Sequence, residues 1–140
     1  MKSAKLPLQQ AIFARLQPVI EAEFAASNVL VSVNPEEDTT DTYVVIGQDS
    51  ERGMSAWQCP GSWIEHTIRV VSLNQPLAKE IDSRIMELLA DQDNDLSLGS
   101  SIYIITWELR DSQTIHYERE RDKKRVYEVV STYGGETGRK

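Results

Sequence analysis

His66, His116 and Cys59 are the side chains best suited to nucleophilic or metal chemistry in this sequence of 140 residues. A nucleophile needs an adjacent base, and a structural zinc needs cysteines and histidines at short, regular spacings. The two histidines stand far apart, and neither lies at a zinc-ligand spacing from Cys59. Cys59 falls in a loop-like stretch rather than at a helix N-terminus, so nothing in the pattern lowers its pKa. His66 is in phase with Ile64 and Ile68, which predicts a buried, hydrogen-bonded strand histidine. Asp91, Asp93 and Asp95 copy the opening of a calcium-binding EF-hand loop. However, Leu96 stands where that loop needs glycine, and Ile102 where it needs glutamate. Gly134, Gly135 and Gly138 follow the final β-rich run with no helix behind them, so they form no phosphate cradle. A serine elbow is absent. The expectation is a protein with no catalytic residue, no metal and no cofactor.

With chemistry set aside, charge and aromatics indicate which surfaces meet partners. The net charge is −7, and its acids are clustered. Residues 34–52 hold Glu36, Glu37, Asp38, Asp41, Asp49 and Glu51 against Arg52 alone. Such a surface repels phosphate and argues against specific nucleic-acid binding. Arg119, Arg121, Lys123, Lys124 and Arg125 form the opposite cluster, interleaved with Glu118, Glu120 and Asp122. A solvated hairpin turn is the plainer reading, and a partner-binding edge the sharper one. Trp57 and Trp63 flank a loop-like stretch, either as interface anchors or as caps on the core. The single cysteine permits no intrachain disulfide and fits a reducing compartment. No apolar run is long enough for a signal peptide or a membrane span, so a soluble protein made in cytoplasm is expected.

The elements that position these groups follow from periodicity. Residues 6–26 read as a helix, with Leu8, Ile12, Leu16, Val19 and Ile20 on one face and Pro18 predicting a kink or a break. Residues 29–33 and 42–48 are β-rich, separated by an acidic loop, and residues 48–62 read as a long connection. Residues 63–73 alternate, with Ile64, Ile68 and Val70 on one side and Glu65, Thr67 and Arg69 on the other. Asn74 and Pro76 open a second helix whose stripe is Leu77, Ile81, Ile85, Leu88 and Leu89. Residues 101–109 pair with 126–133, and residues 114–117 extend them into a long hairpin. The fold class expected is α+β: an antiparallel sheet of four to five strands with two helices packed on one face. One domain over residues 1–133 and a flexible tail over 134–140 complete it.

This order of elements resembles the tail terminator, or tail-completion, proteins of tailed bacteriophages. The resemblance rests on the N-terminal amphipathic helix, the strand Thr42-Tyr43-Val44-Val45-Ile46, the alternating strand Thr67-Ile68-Arg69-Val70-Val71-Ser72, the helix over 78–89 and two closing strands. It spans nearly the whole chain and involves no invariant motif. The acidic loop at 36–41 and the charged hairpin at 110–125 depart from the family's usual look. The resemblance implies a virion protein assembled in the host cytoplasm. It would form a homo-oligomeric ring, usually a hexamer, that caps the tail tube protein and offers a docking face to a head-completion or connector protein. Under that reading Arg119, Arg121, Arg125, Glu118, Glu120 and Trp57 are interface candidates. Glu36, Glu37, Asp38 and Asp41 would line an acidic lumen through which DNA passes without specific binding. The rival readings are a head-side connector or neck component and a generic α+β binding module.

Overall fold

The computed structural model describes residues 3, 5–33, 41–54, 61–90, 96, 102–104 and 107–139. Helix α1 spans Lys5–Glu23 and a 3₁₀ turn follows at Ala25–Ser27. Strands β1 (Leu30–Ser32), β2 (Tyr43–Met54) and β3 (Gly61–Ser72) precede helix α2 (Gln75–Leu89). Strands β4 (Ile102–Ile104), β5 (Glu108–Glu118) and β6 (Arg125–Arg139) complete the chain. This is the expected α+β architecture, with six strands among the described residues rather than four or five.

Helix α1 buries Leu8, Ile12, Leu16 and Ile20, the spacing of one helical face. It passes through Pro18 without the break that proline allows. Pro18 is exposed, so the carbonyl it leaves unbonded can meet water, while the buried leucines and isoleucines hold the rod together. Asn28 ends the 3₁₀ turn at a φ of 57°, the left-handed conformation that asparagine tolerates better than most residues. Helix α2 begins as its sequence dictates: the Asn74 side chain accepts from the Leu77 N–H at 3.2 Å, and Pro76 occupies the first turn.

The sheet order is β1-β2-β3-β6, and the outer edge of β6 carries β5 and β4 one after the other. All pairs are antiparallel except β1 with β2, whose parallel register runs from Leu30–Tyr43 to Ser32–Val45. Strand β6 is therefore an interior strand, hydrogen-bonded to β3 from Tyr127 to Gly138. The expected flexible tail is corrected here. Gly134 through Arg139 are strand, held on one side by β3 and on the other by β5 and β4. Gly134 lets neighbouring side chains approach closely; a Cβ there would lie 3.0 Å from Arg110 Cγ and 3.1 Å from Glu65 Cγ. The expected long connection over 48–62 is also corrected, because β2 continues to Met54 and β3 already begins at Gly61.

Both helices lie on one face. Helix α1 packs on β1 and β2, helix α2 on β3 and β6, and the two touch each other. Their stripes meet Val44, Ile46, Ile64, Ile68, Val70, Val129 and Tyr133 in one core. The opposite face has no helix over it among the described residues.

Candidate interface on the terminal hairpin

Strands β5 and β6 form a long hairpin, with Glu118 opposite Arg125 as the last ladder pair. The expected pairing of residues 101–109 with 126–133 is corrected: Leu109 to Tyr117 take that place, and Ile102–Ile104 pair with Thr137 to Arg139. Six residues, 119–124, make its tip. Lys123 adopts a φ of 58°, and the tip closes through Arg119 N–H to Lys124 O and Lys123 N–H to Arg119 O, both 2.8 Å. Arg119 organises this turn. Its guanidinium forms a two-pronged contact with Asp122 and reaches Asp41, ahead of β2, at 3.5 Å. Hydrogen bonding to Asp122 pushes the Arg119 pKa up, and the same contact holds the Asp122 carboxyl below the usual carboxylate range. Arg125 donates to His116 Nδ1 at 2.7 Å, which places the neutral ring's proton on Nε2.

Two sequence candidates from opposing clusters, Arg119 and Asp41, thus meet within one molecule. Glu118 and Arg125 are cross-strand neighbours of each other, and Glu120 and Arg121 occupy the tip. Glu36, Glu37, Asp38, Trp57 and Cys59, and the aspartates 91, 93 and 95, lie outside the described residues. Among the described residues no cluster of histidine, cysteine and carboxylates could hold a metal ion. No helix of the described chain is long and apolar enough to cross a membrane.

From Arg110 to Glu118 every β5 side chain is exposed, including Ile115 and Tyr117 at 43 % each. Register places Ile115 and Tyr117 on the helix-free face, opposite Glu128 and Val126. The tip overhangs that face and leaves a cleft of about 450 Å³ lined by Tyr43, Val71, Tyr117 and Val126, with Asp41 and Arg119 at its rim. Further along the same face, Arg69 meets Glu128 at 3.3 Å and Thr67 meets Thr132 at 3.2 Å. Trp63 neither caps the core nor lies in a loop. Its indole donates to Glu65 at 3.2 Å, and the Arg110 guanidinium stacks 5.2 Å over its ring.

The helix-covered face holds a group that sequence reasoning missed. A bulge between Gly47 and Asp49, with Gln48 at a φ of 51°, shifts the alternation of β2. It turns Asp49 toward His66 and Glu51 toward Ile64. Asp49 stands 3.9 Å from both Lys5 Nζ and His66 Nδ1. Glu51 accepts from Ser3 at 2.7 Å and from Ser62 at 2.6 Å. His66 is buried as expected, but the expected hydrogen bond is absent: neither ring nitrogen has a partner among the described residues. Burial lowers its pKa, against the weaker pull of Asp49. The one sequence signal for the bulge was Gly47, a glycine inside a β run.

No family model and no curated protein matches this chain. Among solved structures, a chain of "Virion of native gene transfer agent (GTA) particle" matches it with a TM-score of 0.71 at 18 % identity. The match covers 97 % of this chain and 99 % of that one, so the two share a fold from end to end.

Proposed function

We propose that this chain is a non-enzymatic structural protein of a tailed, phage-like virion, and that it caps the tail tube as a ring. The observation that carries the virion part is the shared fold with a virion-particle chain, which extends over nearly all of both chains. Unrelated functions do share folds, so the finer role rests on surfaces. The element order supports a terminator, and the exposed hairpin supports assembly, since a ring needs two different patches on each subunit. In this reading Arg121, Arg125, Glu118 and Glu120 reach a neighbouring copy, with Trp57 as a further anchor. Arg119 holds the tip in the shape that presents them. The acids Glu36, Glu37, Asp38 and Asp41 repel the phosphates of DNA passing through the ring. The tube protein and a head-completion protein are its other partners.

The test is the mass of the purified protein, alone and mixed with tail tubes, with imaging of the tube ends. A ring seated on one end, and tubes that stop growing, are the expected results. A protein that stays monomeric with and without tubes overturns the reading. Reversing Arg121 and Arg125 to glutamate should abolish the ring and leave the monomer folded; an unchanged oligomer mass would remove the tip from the interface.

A further inference from the structure

We infer that two free copies of this chain pair through β5, the outer edge of each adding antiparallel to the other about a two-fold axis at Ile115. The inference goes beyond the ring reading and concerns the protein before it meets a tube.

Sheet edges expose unpaired backbone N–H and C=O groups, and folded proteins blunt them with short strands, bulges, proline or charge. Most edge segments of this sheet are blunted in that way. Strands β1 and β4 have three residues each among those described. Beyond the cover of β1, strand β2 carries the bulge between Gly47 and Asp49 and the charges of Asp49, Glu51 and Arg52. Strand β5 is bare. No strand pairs with its outer side among the described residues, and its ladder to β6 runs without a register shift from Asp111 to Glu118. It contains neither proline nor glycine, and residues 112–117 carry no formal charge at neutral pH. Two of the four exposed large hydrophobic side chains, Ile115 and Tyr117, lie in that stretch. An edge of this kind is a template for strand addition.

The occupant follows from the same comparison: the long bare edge available to cover β5 is a second β5. Like pairs with like about a two-fold axis. With that axis normal to the sheet the strands run antiparallel, and directly opposite residues share a face. With Ile115 on the axis, Ile115 meets Ile115, Gln113 meets Tyr117, Thr114 meets His116 and Ser112 meets Glu118. The exposed apolar side chains then cover one another on the helix-free face, and no like charges stand opposite. Neighbouring registers are poorer. An axis at Thr114 sets Asp111 against Tyr117, and one at Gln113 sets Glu108 against Glu118. An axis at His116 shortens the ladder and brings the two His116–Arg125 pairs together.

Ile115→Lys and Ile115→Glu test this at one exposed position. Circular dichroism should show both folded as the wild type. In sedimentation without tubes, the wild type should run at twice 15.9 kDa. Each variant alone should run at half the wild-type mass, because like charges face each other across the axis. Mixed in equal amounts, the two should regain the dimer, lysine opposite glutamate. A monomeric wild type, a variant that keeps the dimer mass, or a mixture that stays monomeric would overturn the inference. A wild type that forms a ring without tubes would also overturn it and uphold the ring reading. A wild-type dimer that never seats on tail tubes would uphold the inference and overturn the ring reading alone.

Discussion

His66 is the residue at which this fold and its sequence pattern part company. Its place on the buried side of β3 was legible from Ile64 and Ile68; its lack of a hydrogen bond among the described residues was not, because Asp49 arrives by way of a bulge that no alternation reveals. A buried imidazole near one carboxylate, Asp49, cross-strand from Tyr133, is held toward its neutral form by burial. The unfolded chain therefore takes up its proton near pH 6.5, and the folded chain only at lower pH. Stability from this group is fully present above pH 6.5 and is lost as pH falls through the lower folded value. Denaturant midpoints measured across that window should fall for the wild type and fall less for His66→Leu. At neutral pH His66→Leu should gain about 1–3 kcal/mol, since two buried polar atoms with no hydrogen-bond partner among the described residues leave the core. Equal pH slopes in the two proteins would assign the acid sensitivity elsewhere.

At the scale of elements, periodicity carried most of the fold. The stripes of both helices, the Asn74 cap and the phase of β3 follow from residue spacing and turn chemistry, whereas the partner of residues 126–133 proved to be the polar stretch 109–117 rather than the apolar run before it. Two errors share one cause, a local signal overruled by pairing elsewhere. Pro18 argues for a kink or a break, and the four buried residues of α1 keep the helix unbroken. Gly134, Gly135 and Gly138 argue for a loose end, yet they lie in β6, paired with β3. Pro18→Ala restores an N–H donor to Ala14 at an exposed position, so it should stabilise the protein by about 1–3 kcal/mol in urea unfolding. Part of the gain is offset by the freer unfolded chain. A loss of stability would mean that α1 is shaped around the proline. The candidate interface was half legible: the charge pattern located the hairpin tip, but only the fold shows Arg119 reaching Asp41.

The whole molecule is built on a sheet in which one interior strand, β6, comes from the far end of the described chain. Deleting residues 134–140 would have been harmless had they been a loose tail. With β6 inside the sheet, the deletion removes ladder pairs to β3 and the pairs that β4 makes among the described residues. Circular dichroism should show the truncated protein unfolded or melting far below the intact one; an unchanged melt would contradict the register of β6. That same placement has a bearing on biogenesis. As the chain leaves the ribosome, Ser72 waits for Tyr127 and Gly61 waits for Gly138 before β3 has its second neighbour. Throughout that interval one flank of β3 stands open, so the nascent chain is at its most aggregation-prone before β6 has been translated, and slow synthesis or a chaperone bound there would govern its yield.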